Sequence, residues 1–509
     1  MKTIVFQIHS SQIGFHLSLA TLYSQNYQTV IITPNSADVI KILKATNPNY
    51  THIIIDEQNL LNEIKQSITP SKLMEMALAV ENKYSETISM ILSMDRHYGK
   101  GYLYNVHNHP NNPLSFTTLE KRQHDIVAQI NMWEQILSKY KAEVVFSQFN
   151  QKIPSMICRH LGIHYLSPAL AKYDKKMLWS EDEFYQSKIL SEKIKNNLKS
   201  LKSTDITDFD YIKDRAATIS HAKARYDYWH TFKILFRHYY IHIKKYIYDI
   251  LQNRDNSNNN PFWGWFTSLA TIPKTHKFFL KYGKKPTELK GKKIIFFPLH
   301  FEPEVSLYHF SPEFTNSMEL IANVSKSLPA DCVLVVKEHI HQFGLRSLEY
   351  YKQLQKIGNL CFAHPEVHSW DWIKASSITT TITGTAAIEC IYMNKPVLSF
   401  GKHQVVNLFP TCRYASDYQT TKDGIKQLLA MHPDDSNFQL SRESLYRAHQ
   451  KICFELPRFG QSYKSHQLDM ESAKIAADHL EKFYDIKIEP SPHNSTIAKQ
   501  NLAAEQPSC

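Results

Sequence analysis

Two short segments of this chain set phosphate-binding groups where an apolar run ends. After residues 332–336 come Lys337, Glu338, His339 and, further on, Arg346. A phosphate needs donors converging from one side; lysine offers a point charge, while histidine and arginine offer directed N–H groups. The plainer reading of this stretch is a solvated polar loop. The second segment is Thr383, Gly384, Thr385, Ala386, Ala387, Ile388 and Glu389. A Thr-Gly-Thr turn that opens a helix exposes backbone N–H groups at the positive end of the helix dipole, which suits an anion. Glu389 follows Thr385 by about one helical turn, where a carboxylate can accept the hydroxyls of a ribose. N-capping by Thr383 or Thr385, with Glu389 in an ion pair, explains the same residues without a ligand.

A third group follows the apolar run 294–299: His300, Glu302 and Glu304, in a turn bounded by Pro298 and Pro303. Asp95 and Arg96 punctuate a helical stretch in the first half. Glu304 or Asp95 is a candidate general base or electrostatic stabiliser, and spacing alone does not show which reaches a hydroxyl. A local ion pair between Asp95 and Arg96 competes with that role. His339 and His341 have the spacing of a metal pair, but no third ligand stands nearby, so no metal is expected.

These residues need a scaffold that brings strand ends together. In the first third, β-branched runs at 3–9, 29–34, 51–56 and 143–146 alternate with helical patterns at 14–25, 37–46, 71–94 and 119–140. Between 292 and 431 the alternation is sharper, with strands expected at 294–299, 332–337, 360–363, 378–383 and 396–400. Such alternation predicts parallel sheets covered by helices. Ligands of these sheets sit at the carboxyl ends of the strands, which is where the three groups fall. We therefore expect an α/β protein of two lobes: an acceptor-side lobe over 1–185, a helical basic and aromatic insertion over 186–285, a nucleotide-sugar-binding lobe over 286–485, and a disordered tail over 486–509.

Composition agrees with a globular chain of this size: 509 residues, 43% hydrophobic and 21% charged. Only 13 glycines argue against glycine-rich phosphate loops, and a net charge of +11 suits anionic partners. Seven cysteines without a CxxC pair fit buried thiols in a reducing compartment, hence a cytoplasmic protein. The first residues read as a strand rather than a signal peptide. No apolar run reaches the length of a spanning helix. Within 226–248, Trp229, Phe232, Phe236 and Tyr240 interleave with Lys233, Arg237, Lys244 and Lys245. Either this segment lies on an anionic membrane surface, or it packs across the lobes with its cations snorkelling. No nucleic-acid-binding module accompanies it, so nucleic acid is not expected as a partner.

The second half also resembles a known family. Phe297, Pro298, Leu299, His300, Phe301, Glu302, Pro303 and Glu304 are followed in order by Val336, Lys337, Glu338 and His339, then Gly344, Leu345 and Arg346. Residues 381–389 and then Lys395, Pro396, Val397, Leu398, Ser399, Phe400 and Gly401 complete the series. This succession is similar to the capsule polysaccharide biosynthesis family, which includes bacterial transferases that add Kdo from a CMP-activated donor. The resemblance covers about residues 290–405 and is looser around Asp95 and Arg96. It implies a GT-B fold of two Rossmann-like lobes, with His339 on the donor phosphate, Thr383, Gly384 and Thr385 lining the nucleotide site, and Glu389 on the ribose. It also implies no obligatory metal or cofactor. One departure stands out: Ile340 occupies the place where related transferases often have proline after the histidine.

The expected activity is transfer of a sugar, Kdo or a related acidic sugar among the candidates, from a nucleotide donor to a surface polysaccharide or its lipid-linked primer. The protein would work in the cytoplasm or on the inner face of the membrane. A non-catalytic glycan- or lipid-carrier-binding protein of an export assembly is the alternative, and a sugar-nucleotide epimerase of the same two-lobed fold is a third reading.

Overall fold

Short β-branched and aromatic runs, buried on both faces, build the sheets. The computed structural model describes residues 2–9, 13–46, 49–94, 118–207, 211, scattered positions between 229 and 247, 261–301, 305–314, 316–339, 342, 346–457 and 467–488. The chain divides into two units: Met1–Ile88, Gln123–Ile189 and Lys451–Cys509 in the first, Ser89–Arg122 and Leu190–Gln450 in the second.

In the first unit the strands are β1 (Thr3–Gln7), β2 (Gln28–Thr33), β3 (Ile53–Asp56), β4 (Ala142–Ser147), β5 (His164–Leu170) and β6 (Met177–Ser180). They form one sheet in the order β3-β2-β1-β4-β5-β6. All neighbours are parallel except β5 and β6. Ile4, Phe6, Val144 and Phe146 join the helix Ile13–Tyr23 in one core.

The second unit contains β7 (Gly283–Lys284), β8 (Lys293–Pro298), β9 (Cys332–Lys337), β10 (Leu360–Ala363), β11 (Ile378–Thr381), β12 (Val397–Ser399) and β13 (Cys412–Tyr414). Their order is β13-β12-β11-β8-β9-β10-β7, every pair parallel. Ile295, Phe297, Leu334 and Val336 pack with Phe278, Phe279, Tyr351 and Phe362 on one face of this sheet. Apart from the short edge strand β7, the order repeats that of the first unit. Both sheets are thus Rossmann-like, and the α/β class expected from the alternation is the one found. In each, the strand order reverses once: between β1 and β4, and between β8 and β11. Loops leaving the two central strands diverge there and open a crevice.

Four expected boundaries differ. The helix Met470–Tyr484, expected in the C-terminal lobe, belongs to the first unit, where Ala473, Ala476, Ala477 and Leu480 pack into the core of β1 and β4. Its lead-in is held by the Asp469 N–H donating to Ser18 Oγ at 2.8 Å. The segment 186–285 is not a separate body at its ends. Asn197 donates to the Ser444 carbonyl at 2.9 Å, and Phe278 and Phe279 sit in the second unit's core. The stretch 71–94 is two helices, Pro70–Tyr84 and Ile88–Met94, because Ser85 takes a left-handed conformation (φ 54°) that ends the first. The tail expected over 486–509 also starts too early: Ile486 is buried in the first unit's core, where its carbonyl accepts from Tyr23 Oη at 3.3 Å, and residues 489 onward lie outside the described residues. Among the described residues no helix is long and apolar enough to cross a membrane.

Candidate functional site

At the reversal point of the second unit, the exits of β8 and β11 are fastened to each other through His300. Its ring is buried, and Nε2 accepts the Thr383 N–H at 3.0 Å, with Thr381 Oγ1 at 3.4 Å. Accepting an N–H requires an unprotonated Nε2, which assigns the ring proton to Nδ1. Thr381 Oγ1 in turn accepts the Gly384 N–H at 3.1 Å. The loop 381–384 is therefore shaped by its own threonine and by the neighbouring strand's histidine.

That loop delivers the helix Thr385–Tyr392. Gly384 is its N-cap and supplies no side-chain cap; Thr385 is exposed. A Cβ on Gly384 would stand 3.1 Å from Thr381 Oγ1 and 3.4 Å from His300 Nε2, so a side chain here would press on the histidine that holds the loop. The first N–H groups of this helix are left for water or a ligand. Its far end is anchored by Tyr392 Oη, 2.7 Å from His449 Nδ1. Glu389, half-buried, sits on the second turn.

The exits of β8 and β9 are joined by a buried ion pair. Arg346, with no exposure, donates through one nitrogen to both Glu338 oxygens at 2.6 and 2.7 Å, and through the other to the His300 carbonyl at 2.9 Å. Tyr351 Oη donates to the same carboxylate at 2.6 Å. Burial first, and then Glu338, push the Tyr351 phenol well above its ordinary range, so the hydroxyl stays a donor. The Glu338 carboxylate also receives the His339 N–H at 2.6 Å. The guanidinium of Arg346 thus ties the exit of β9 to the exit of β8. The His339 ring is half-buried beside Phe301, at 6.0 Å between centroids.

Lys337 points elsewhere. Its Nζ is buried 3.4 Å from the Pro365 carbonyl, beyond β10, and burial brings its amine down to about 7 against the pull of Glu338. The structure therefore gathers His300, Thr383, Gly384 and, through the His300 carbonyl, Arg346, while the Lys337 amine reaches the Pro365 carbonyl. Glu304 and Asp95 lie outside the described residues, as does His341. Among the described residues no group of three or more His, Cys, Asp or Glu side chains is disposed to hold a metal ion.

Sequence reasoning named Glu338 without giving it a role, and missed Tyr351 and Gln404. Gln404 Nε2 donates to the Ile382 carbonyl, and the close approach of that carbonyl requires Gly401, whose Cβ would lie 2.5 Å from it. The glycine was the available signal for Gln404; for Glu338, it was an acid beside two cations at a strand end.

The equivalent crevice of the first unit is lined by amides. The His9 N–H donates to Gln148 Oε1 at 2.6 Å, and Gln151 Nε2 lies 3.3 Å from His9 Nε2. Burial lowers the His9 imidazole and raises the Glu57 carboxyl to about 7.

Comparison with known proteins leaves the family open. No family model matches the chain, and no curated protein matches it. Solved structures resemble it weakly. A Staphylococcus aureus MnaA–UDP co-structure is 12% identical, covering 96% of this chain and 99% of that one at a TM-score of 0.27. Thermosulfurimonas dismutans KpsC, a beta Kdo 2,7 transferase, is 13% identical over 61% of this chain and 88% of that one, TM-score 0.28. Sucrose-phosphate synthase from Thermosynechococcus elongatus is 10% identical over 91% and 98%, TM-score 0.26. Scores this low leave function to the chemistry of the site.

Proposed function

We propose that the chain is a glycosyltransferase whose second unit binds a nucleotide-activated sugar at the carboxyl ends of β8, β9 and β11. The observation that carries this reading is the fastening of Thr383 to His300 at the strand-order reversal. It fixes a glycine-capped helix start at the reversal point where doubly wound sheets hold ligands.

In this reading the donor phosphate rests on the N–H groups of Thr385 and Ala386, with the His339 imidazole as a further donor. Glu389 accepts the ribose hydroxyls. As the glycosidic bond to phosphate breaks, negative charge grows on the departing oxygen, and these preset dipoles stabilise it without reorganising. Arg346 positions the crevice through Glu338 and the His300 carbonyl rather than touching phosphate itself. Lys337 is reached only by a ligand that extends toward β10; an arriving anion there would draw a proton onto the amine. A CMP-linked acidic sugar such as Kdo is the donor we favour, on the motif resemblance, with a glycan or lipid-linked acceptor.

The test is transfer from CMP-, UDP- and GDP-sugars by wild type and His339→Ala. We expect one donor class to be used and the variant to lose at least about 100-fold in rate at unchanged melting temperature. Wild-type activity in that variant would remove His339 from the site. Conversion of a nucleotide sugar without any acceptor would replace transfer by epimerisation.

A further inference from the structure

Between 229 and 247, the described positions 229, 233, 236, 237, 240, 241, 243, 244 and 247 are all helical. At about 100° per residue, Trp229, Phe236, Tyr240 and Ile247 fall within about 40° of one another, forming a single stripe. The four are exposed by 62%, 53%, 63% and 53%. Lys233, Lys244 and Arg237 run along one flank of it, about 40–80° away, and all three are exposed. Ile241, beyond them, is also exposed.

Large apolar side chains at such exposure, repeated on one helical face, mark an interaction surface. The occupant has to accept three aromatic side chains and one branched aliphatic side chain along a line, and to meet a row of positive charge beside them. We infer that the face bearing Trp229, Phe236, Tyr240 and Ile247 docks in the plane of an anionic bilayer surface. Tryptophan and tyrosine favour the depth where headgroups meet acyl chains, and lysine and arginine beside them reach the lipid phosphates. The row of cations is what favours a charged bilayer over a second copy of the chain, since it would face its own like charge across a symmetric contact. The chain's excess of 59 basic over 48 acidic residues adds attraction of the same sign. This inference stands independently of the transferase reading.

The full-length chain should be sedimented with vesicles of phosphatidylcholine alone and of phosphatidylcholine with about a third phosphatidylglycerol. Two triple variants serve as probes: Trp229→Ser with Phe236→Ser and Tyr240→Ser, and Lys233→Glu with Arg237→Glu and Lys244→Glu. We expect binding to the anionic vesicles that weakens with salt and falls at least about tenfold in each variant, with little binding to the neutral ones. All the altered side chains are exposed, so melting temperature should hold; if the aromatic variant fails to fold, the charge-reversal variant decides alone. The inference is overturned if wild type ignores anionic vesicles at low salt, or if charge reversal leaves their binding intact. It is equally overturned if the stripe instead drives self-association, or binding to soluble glycan, with no vesicle binding.

Discussion

Lys337 carries the clearest single-residue consequence. Its amine is buried against one carbonyl and held down to about 7, whereas in the unfolded chain it titrates near 10.5. Between those values the unfolded state binds the proton and the folded state does not, so stability rises with pH across that window and the penalty is complete below it. Lys337→Met has no such penalty. We expect the variant to exceed wild type by on the order of a few kcal/mol in urea unfolding at about pH 6.5, with the gap narrowing at about pH 9.5. A gap independent of pH would mean that the ammonium stays charged in place. The sequence identified Lys337, His339 and Arg346 as cations at a strand end, and that much was legible. Their division was not. Alternation along a strand turns Lys337 and Glu338 to opposite sides, but which side meets the crevice depends on neighbours far along the chain, such as Pro365 and Tyr351.

At the scale of elements, the exits of β8, β9 and β11 are set by three ties: Thr383 to His300, Arg346 to the His300 carbonyl, and Arg346 to Glu338. Removing one partner of a buried pair leaves the other charge unpaired and typically costs about 3–5 kcal/mol. Arg346→Ala should lose that much in denaturant unfolding, and adding Glu338→Gln should recover part of it, because the orphaned carboxylate is then neutral. A loss below about 1 kcal/mol would place the pair in a solvated setting. Most of the central strands were easy to find, since their β-branched runs end at glycine, proline or charged residues. Four strands escaped notice: β5, whose Pro168 argues against a strand, and the short β6, β7 and β13, whose two to four residues carry no periodicity. The break at Ser85 escaped for a related reason: serine seldom adopts the left-handed conformation, and no glycine marked the stop.

For the whole molecule, the sequence made the two Rossmann-like sheets legible through alternation alone, yet misplaced the helix Met470–Tyr484. Its apolar side of Ala473, Ala476, Ala477 and Leu480 would suit either core, and only packing against the helix Ile13–Tyr23 selects the first unit. The function assigned to the second unit hangs on its crevice taking a nucleotide. Calorimetric titration of CMP, UDP and GDP into the full-length chain, beside His300→Ala, examines that step without needing the acceptor. Deleting the imidazole leaves the Thr383 N–H without its buried acceptor and frees the loop beneath the helix start, at about 1–3 kcal/mol. We expect one nucleotide to bind wild type at micromolar to submillimolar affinity, and the variant, still folded by circular dichroism, to bind it roughly tenfold or more weakly. No heat from any of the three at millimolar concentration, or equal affinity in the variant, would contradict a nucleotide site between β8 and β11.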